Sequence, residues 1–370
     1  MLSDAQRARY DRHLKLEEFG AAAQERLLES SVLVVGAGGL GSPALLYLAA
    51  AGIGRLGIVD DDVVDMSNLQ RQVVHRNHDV GSPKAASAER AVRDLNPDVA
   101  VEIHDFRLDE GNSRALLSEY DLVLDGSDNF PTRYLINDAA YFERRPVMHG
   151  SIYRFEGQVT VFAPRKGPCY RCLFPHPPPA DSVPSCSQAG VLGMLPGVIG
   201  MVQATEAVKL LAGIGEPLIG RLLRYDALGM RWSELRLGRD SACPLCGDEP
   251  SISEVKSIEQ AAAAVQSVQP MTPEELEELR MGGVDHLLLD VREPAEVVAG
   301  GISGAWNIPL RELPQRLGEL GDWHERLVVC QCQRGGRGAE AAELLKCAGF
   351  NRLANLEGGY LGWRRLLAIG

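Results

Sequence analysis

The chain lacks the features of nucleic-acid-binding, secreted and membrane proteins. Its 38 Lys and Arg face 50 Asp and Glu, a formal net charge of −12, which disfavours nucleic acid as the main partner because phosphates require a basic face. Residues 1–7 lack the apolar core of a signal peptide. The longest weakly polar run, 189–202, contains a proline and several glycines and is too short to span a membrane. These absences predict a cytoplasmic protein without a nucleic-acid or membrane partner.

Internal repeats are absent, and low complexity is confined to a tripled proline and a short alanine run. A hydrophobic content of 45% in 370 residues supports folded cores, and this length predicts about two or three domains. Eight cysteines in an intracellular chain favour metal binding or catalysis over disulfides.

Apolar runs alternate with helical stretches over the first 150 residues. The predicted strands are 32–35, 56–59, 100–104, 122–124, 147–148 and 158–162, and the predicted helices are 42–51, 83–96, 132–144 and 199–211. A Pro-rich loop, residues 174–182, precedes the last helix. Such alternation predicts an α/β fold with a mostly parallel sheet.

A glycine turn, Gly36-x-Gly38-x-x-Gly41, joins the first predicted strand to the first predicted helix. This arrangement lets backbone N–H groups approach a nucleotide phosphate at a helix N-terminus. Asp60 ends the next strand, where an acidic residue commonly accepts ribose hydroxyls. The turn alone is equally typical of nicotinamide-dependent oxidoreductases.

Later residues favour ATP over a nicotinamide. Asn68, Arg71 and Lys84 could together neutralise a triphosphate, with Arg71 supplying several donors in one plane. Asp128 follows an apolar strand and therefore lies at its carboxyl end, where ligands bind in open α/β sheets. A carboxylate there suits Mg²⁺ that is shared with phosphate oxygens.

Residues 9–247 resemble the MoeB/ThiF family, relatives of the ubiquitin-activating enzymes. The motifs that carry the resemblance are 9–12 (Arg-Tyr-Asp-Arg), 36–41, 67–72 (Ser-Asn-Leu-Gln-Arg-Gln), 81–84, 125–129, 156–162 and 169–172. The resemblance implies adenylation of the C-terminal glycine of a small ubiquitin-like sulfur carrier that ends in Gly-Gly, with Mg·ATP as co-substrate. It assigns ATP or Mg²⁺ binding to Gly39, Asp60, Asn68, Arg71, Lys84, Asp128 and Asn129. It also implies a homodimer, in which Arg12 of one subunit reaches the phosphates bound by its neighbour.

Two Cys-x-x-Cys pairs, Cys169 with Cys172 and Cys243 with Cys246, frame the end of this region. Four thiolates in paired turns are the ligand set of a structural tetrahedral Zn²⁺. A redox dithiol would instead need a single pair at a helix N-terminus, which two separated pairs fit poorly.

Cys186 lies just after the Pro-rich loop. It could be an ordinary loop cysteine, or its thiol could attack an activated acyl group above the nucleotide. In some of the enzymes that the chain resembles, a cysteine here forms a covalent link to the carrier.

Residues 271–370 resemble a rhodanese domain. The resemblance is carried by 289–294 (Leu-Asp-Val-Arg-Glu-Pro), 304–310, 332–337 (Cys-Gln-Arg-Gly-Gly-Arg), 341–345 and 358–363. It places the persulfide nucleophile at Cys332, in a loop of backbone N–H groups that stabilises a sulfur anion. Cys330 would be buried in the preceding strand and Cys347 would pack on the following helix, while Gly301 stands where the family often has His.

Together these features predict an adenylation domain over 1–250, a linker over 251–270 and a rhodanese domain over 271–370. The predicted enzyme adenylates the carrier and then transfers persulfide sulfur from Cys332 to give a thiocarboxylate. The sulfur would come from a donor such as a cysteine desulfurase or thiosulfate, and the pathway, molybdopterin or thiamin among others, stays open. The alternatives are an adenylyltransferase with an inactive rhodanese domain that only binds, a non-catalytic scaffold, and a nicotinamide oxidoreductase.

Overall fold

The computed structural model describes residues 1–175, 177, 190–256 and 268–369. The chain divides into two compact units, Met1–Ile258 and Glu259–Gly370. Cys186 and residues 257–267 of the predicted linker lie outside the described residues. The predicted α/β class is confirmed in both units.

The first unit is built on one sheet whose described strands follow the order β3-β2-β1-β4-β5-β6-β7-β8. The strands are β1 (Ser31–Val35), β2 (Arg55–Val59), β3 (Ala100–His104), β4 (Leu122–Asp125), β5 (Val147–Tyr153), β6 (Glu156–Phe162), β7 (Arg221–Asp226) and β8 (Arg231–Arg236). Strands β1 to β5 pair in parallel, and β5 to β8 form an antiparallel meander. The chain order reverses between the neighbours β1 and β4, and ligands bind at such switch points in open α/β sheets.

Helices cover both faces of this sheet. They are α1 (Asp4–Arg9), α2 (Asp11–Leu14), α3 (Gly20–Glu29), α4 (Gly41–Ala51), α5 (Lys84–Leu95), α6 (Ser113–Ser118), α7 (Phe130–Glu143), α8 (Tyr170–Leu173) and α9 (Met194–Ala212). The continuous apolar sequence of β1 follows from this layering. Val32 and Val34 pack into one core, and Leu33 and Val35 pack into the core on the opposite face, because successive side chains of a strand point to opposite faces.

Within the described residues, helix α9 alone is long and apolar enough, by length and composition, to cross a membrane. Its Leu195, Ile199, Ala204 and Ala207 are buried in the core, where the helix packs against α4, β5 and β6. Core packing therefore accounts for its composition. The helix begins five residues before the predicted start at Ile199.

The second unit holds a parallel sheet in the order β11-β10-β12-β13-β9. Its strands are β9 (Gln269–Met271), β10 (His286–Asp290), β11 (Trp306–Asn307), β12 (Leu327–Gln331) and β13 (Arg352–Leu356). Its helices are α10 (Pro273–Met281), α11 (Pro294–Val298), α12 (Leu313–Arg316), α13 (Gly336–Cys347) and α14 (Gly359–Ile369). The side chain of Thr272 caps α10 by accepting from the Glu275 N–H at 3.2 Å.

Candidate functional site

A cleft of about 340 Å³ opens in the first unit, lined in part by the ends of β1 and β2 and by the residues that follow β4. Eight of the residues predicted for the nucleotide site line it: Gly36, Gly38, Gly39, Asp60, Arg71, Lys84, Asp128 and Asn129. The structure therefore brings together residues that lie more than ninety positions apart in the sequence.

The glycine turn forms the floor of the cleft. Gly36 has φ +94°, and a Cβ there would stand 2.9 Å from the Gly126 carbonyl oxygen, so only glycine fits. Gly41 does not line the cleft; a Cβ at this position would stand 1.8 Å from the Gly36 oxygen. The third glycine of the motif thus lets helix α4 pack against the turn.

Asp60 holds the turn from one side and His75 holds it from the other. Asp60 accepts from the Ala37 N–H at 2.7 Å and from the Asp62 N–H at 3.0 Å. Burial raises the pKa of the Asp60 carboxyl. The buried His75 donates from Nε2 to the Ala37 carbonyl at 3.0 Å, and its Nδ1 lies 2.8 Å from the Ser87 hydroxyl.

Two of the predicted cations line the cleft. Lys84 begins helix α5, and its Nζ lies 2.8 Å from Asp62 Oδ2. Arg71 donates to the Ser67 carbonyl at 3.1 Å. Both side chains bond to oxygen atoms of their own chain. Both also line the cleft, where the sequence predicts that phosphates bind.

Asn68 and Arg12 do not line the cleft of their own chain. Asn68 accepts from the Asp65 N–H at 3.1 Å and so helps cap a short 3₁₀ turn, Met66–Asn68. The Arg12 side chain is 87% exposed and lies 3.2 Å from Asp11. Its guanidinium is therefore at the surface of the unit.

Beyond β4, Asn129 caps helix α7 by accepting from the Thr132 N–H at 2.9 Å. The fully buried Asp125 lies beneath this segment and accepts from His149 Nδ1 at 2.8 Å and from the Ser127 hydroxyl at 2.6 Å. These hydrogen bonds and burial act in opposite directions, with a net lowering of the pKa of Asp125. The pair fixes the backbone from which the exposed Asp128 projects.

Sequence reasoning missed several cleft residues, among them Gln72, Arg107 and Arg133. Arg133 follows the helix cap at Asn129 by one turn, and that spacing was the only local signal for it. Gln72 is the last residue of the Ser-Asn-Leu-Gln-Arg-Gln motif, 67–72.

The four cysteines of the two Cys-x-x-Cys pairs lie together. Their sulfur atoms are within 4.8 Å of one another, and Cys169–Cys172, Cys169–Cys243 and Cys172–Cys246 are 3.9, 3.6 and 3.3 Å apart. A tetrahedral zinc with Zn–S bonds of about 2.3 Å would place its sulfurs about 3.8 Å apart. The donor set and spacing therefore fit zinc.

The cysteine cluster is tied to the helix that begins at the cleft. The N–H of Tyr170, between the first two cysteines, donates to Asn137 of α7 at 2.8 Å. Arg171 forms a buried ion pair with Asp138, with nitrogen–oxygen distances of 2.8 and 2.7 Å. The cluster is thus connected to the middle of α7.

In the second unit, Cys332 follows β12 directly and is 2% exposed. Its sulfur accepts from the Gly335 N–H at 3.1 Å. Gly335 has φ +101° and precedes helix α13, so the sulfur lies near a helix N-terminus, which favours an anion. Arg337, in the first turn of that helix, pairs with both oxygens of Glu296 at 2.7 Å.

The sequence also singles out Cys330, Cys347 and Gly301 in this unit. Cys330 is fully buried within β12, as predicted, and burial raises the pKa of its thiol to about 12. The side chain of Cys347 is outside the described residues. Gly301 lies beside the buried Arg292; a Cβ at 301 would stand 3.4 Å from its Nη2. Arg292 also donates to Gln333 of the loop at 3.0 Å.

Comparison with known families agrees with this geometry. The ThiF family model matches residues 10–245, and the rhodanese-like domain model matches residues 272–366. The chain belongs to the ThiF family. The resemblance predicted from the sequence, a ThiF-family region followed by a rhodanese-like domain, is confirmed.

Some relatives of this ThiF-family chain match nearly all of it, and others match about two thirds of it. The protein named "Probable adenylyltransferase/sulfurtransferase MoeZ" from Mycobacterium tuberculosis is 45% identical, over 98% of this chain and 94% of its own length. The sulfur carrier protein adenylyltransferase of Thermus thermophilus is 53% identical, over 68% of this chain and 94% of its own length.

Among solved structures, Escherichia coli MccB with MccA-N7isoAsn is similar, with a TM-score of 0.58 and 19% identity. The similarity covers 66% of this chain and 76% of MccB. At this identity, the likeness shows that the two proteins share a fold.

Proposed function

We propose that this chain adenylates the C-terminal glycine of a ubiquitin-like sulfur carrier and then transfers sulfur to it from Cys332. The main observation that supports this proposal is the cleft, where a glycine turn, Arg71, Lys84 and Asp128 meet at the end of a parallel sheet. The names of the relatives, which include adenylyltransferase, sulfurtransferase and sulfur carrier protein, support the same reaction.

The charges in the cleft suit adenylation. A carboxylate and a triphosphate repel each other, and Arg71 and Lys84 would offset that repulsion as negative charge moves onto the leaving pyrophosphate. Asp128 would hold Mg²⁺, which supplies further positive charge against the phosphate oxygens. The attacking carboxylate is already ionised at pH 7, so the reaction needs no general base.

Arg12 is proposed to act between subunits. Its side chain is 87% exposed and does not line its own cleft, so a neighbouring copy could receive the guanidinium among the phosphates. Homodimerisation would then complete the site. Asn68, placed in the turn before Arg71, is proposed to contact the nucleotide after its capping bond rearranges.

The sulfur step starts with Cys332 carrying a persulfide. Its terminal sulfur attacks the carbonyl of the acyl-adenylate, AMP leaves, and an acyl-persulfide links the carrier to Cys332. A thiolate, proposed to be that of Cys186, then attacks the Cys332 sulfur. The carrier leaves as a thiocarboxylate, and an external thiol reduces the resulting disulfide.

The remaining proposals concern cofactors and partners. The four clustered cysteines would bind one structural zinc, with no open position for catalysis. A cysteine desulfurase or thiosulfate would load Cys332, and the reaction would take place in the cytoplasm. The alternative in which the rhodanese-like unit only binds is disfavoured, since the MoeZ relative carries the name sulfurtransferase.

Pyrophosphate exchange into ATP tests the adenylation step. Carrier proteins that end in Gly-Gly are offered singly, and each is also offered without its last glycine. We expect exchange with one intact carrier, and loss of exchange on truncation or in Asp128→Ala. No exchange with any carrier, by folded protein, would refute adenylation.

A further inference from the structure

Tyr10 is the buried residue of the Arg-Tyr-Asp-Arg motif at 9–12. It is only 2% exposed, whereas the side chain of Arg12, two residues later, is 87% exposed. Tyr10 ends helix α1 and directly precedes helix α2, so it joins the two short helices of the N-terminal segment, residues 4–14. Arg12 belongs to α2, and its position therefore depends on how this segment is attached to the rest of the unit.

A close-fitting site between two helix ends holds the Tyr10 side chain. The fully buried Asn96, which follows α5, donates from Nδ2 to the Tyr10 hydroxyl at 3.0 Å and to the Ala49 carbonyl at 2.8 Å. Gly52, which ends α4 with φ +84°, leaves room for the ring: a Cβ there would stand 2.5 Å from the Tyr10 hydroxyl oxygen. The tyrosine thus fits where α4 and α5 both end.

A second contact holds the segment on the other side of Arg12. His13 Nδ1 lies 3.0 Å from Oε1 of the fully buried Gln24, whose Nε2 donates to the Ala51 carbonyl at 2.8 Å. With Tyr10 before it and His13 after it, the backbone of Arg12 is fixed on both sides, while its side chain extends into solvent.

This attachment lies away from the cleft of the same chain. Helix α4 begins at Gly41, directly after the glycine turn, and its eleven residues span about 16 Å before it ends beside Tyr10. Helix α5 likewise begins at Lys84, which lines the cleft, and ends before Asn96. The N-terminal segment is therefore fixed at the ends of these helices that are remote from the cleft. A contact between Arg12 and a nucleotide would accordingly involve the cleft of another copy.

We propose that Tyr10 is a positioning residue that holds Arg12 for the cleft of a second copy of this chain. This inference rests on the proposed function, in which Arg12 of one subunit reaches the phosphates bound by its neighbour. Tyr10 itself touches no nucleotide; its buried ring and hydroxyl fix the segment two residues before Arg12. A guanidinium that is held in advance loses less conformational freedom on meeting the phosphates, and misplacement of such a group lowers the rate steeply. A defect at Tyr10 should therefore impair the cleft of the neighbouring subunit and spare its own.

The test measures pyrophosphate exchange into ATP by the full chain, with the carrier that supports exchange in the parent. Tyr10→Ala homodimers should lose exchange about 10-fold or more, because Arg12 is displaced. Tyr10→Phe, which keeps the ring and removes one hydrogen bond, should lose less than about 10-fold. Tyr47→Ala is the matched control, since it changes an exposed tyrosine of α4 and should leave exchange unchanged.

Mixed dimers show which cleft depends on Tyr10. Two differently tagged chains are co-expressed, and the dimers that carry both tags are purified. Tyr10→Ala and Asp128→Ala then lie either on different subunits or on the same subunit. On different subunits, the cleft with an intact Asp128 receives an intact N-terminal segment, and about half of the parental exchange should remain, since the two clefts of a symmetric dimer are equivalent. On the same subunit, the remaining intact cleft receives the defective segment, and exchange should be lost.

The opposite pattern would overturn the inference. Exchange that is lost with the substitutions on different subunits, and kept with both on one, would mean that Tyr10 only supports the fold of its own subunit. Parental exchange in the Tyr10→Ala homodimer would overturn it as well. If Tyr10→Ala does not fold, Tyr10→Phe in the same two arrangements gives the comparison.

Arg12→Ala in the same two arrangements separates this inference from the proposed function. If Arg12→Ala follows the expected pattern and Tyr10→Ala does not, the proposed role of Arg12 stands and that of Tyr10 falls. If the chain is a monomer, or if neither variant follows the pattern, both roles fall. A parent without exchange would refute adenylation itself.

Discussion

Lys84 Nζ lies 2.8 Å from Asp62 Oδ2, so the cation assigned to a phosphate is held by a carboxylate in this structure. The two partners differ in exposure: the Lys84 side chain is 8% exposed and that of Asp62 is 72% exposed. Because the Asp62 carboxylate is largely in solvent, water and salt partly screen its attraction to Lys84. A phosphate could therefore replace Asp62 at small cost.

Asp62→Asn should free Lys84 for the nucleotide and lower the Kd for Mg·ATP by about 2- to 5-fold, in line with a weak pair. Lys84→Ala should reduce pyrophosphate exchange by about 100-fold or more, because transition-state charge loses its partner. Calorimetry and the exchange assay measure the two effects. A large loss of ATP affinity in Asp62→Asn would mean that Asp62 itself binds the nucleotide or its metal.

Cys330 and Cys332, which both lie in the second unit, should differ in reactivity. Cys330 has a pKa raised to about 12 by burial, so its thiolate fraction at pH 8 is about 10⁻⁴. We expect iodoacetamide to modify Cys332 first and to spare Cys330, as measured by peptide mass spectrometry. Cys332→Ala should lose thiosulfate sulfurtransferase activity and keep pyrophosphate exchange, whereas Cys330→Ala should keep both. Equal alkylation of the two cysteines would contradict this assignment.

The central strands could be predicted from sequence because both of their faces are buried. Residues 32–35 form a continuous apolar run for that reason, and the run is found in β1. Strand β8 escaped prediction because all six of its residues are exposed at the sheet edge, so its sequence, Arg-Trp-Ser-Glu-Leu-Arg, carries no apolar alternation. Apolar patterns in a sequence reflect which side chains are buried. An exposed edge strand buries few side chains, so its sequence shows little apolar pattern.

Only part of the cleft could likewise be predicted from the sequence. Glycines and charged residues at strand ends could be identified because the topology places those ends together. The hydrogen bonds from His75 to Ala37 and from His149 to Asp125 could not, since each joins residues at least 24 positions apart that no local pattern relates. The motif predicts Gly41 beside the nucleotide together with Gly36 and Gly38, and it does not show which glycine also packs against the chain itself; a Cβ at 41 would stand 1.8 Å from the Gly36 oxygen.

Loss of the proposed zinc should destabilise the cleft as well as the cysteine cluster. The purified chain should contain one zinc per subunit by elemental analysis, and Cys243→Ser should contain less and unfold at a lower temperature. Because Tyr170 and Arg171 connect the cluster to α7, the variant should also bind Mg·ATP more weakly. Arg171→Lys, which leaves all four cysteines in place, should keep the zinc and lose part of the nucleotide affinity. A zinc-free parent that binds ATP fully would refute this coupling.

The ion pair between Glu296 and Arg337 makes the stability of the second unit depend on pH. The Arg337 guanidinium lowers the pKa of Glu296 from 4.5 to about 2 in the folded chain. A carboxyl whose folded pKa is depressed stabilises the fold above its unfolded pKa and loses that contribution as the pH falls through its folded value.

The difference in unfolding free energy between the parent and Glu296→Gln should therefore be full at pH 7, shrink between about pH 5 and pH 2, and vanish below that range. Denaturant unfolding at several pH values measures it. Both side chains are about one-third exposed, so solvent screening should keep the difference modest. Glu319→Gln is a matched comparison: this more exposed carboxylate pairs with Arg316, whose hydrogen bond likewise lowers the pKa of Glu319, so its difference should have the same sign and a smaller size. A difference that does not change with pH would show that Glu296 acts through packing and that its charge contributes nothing.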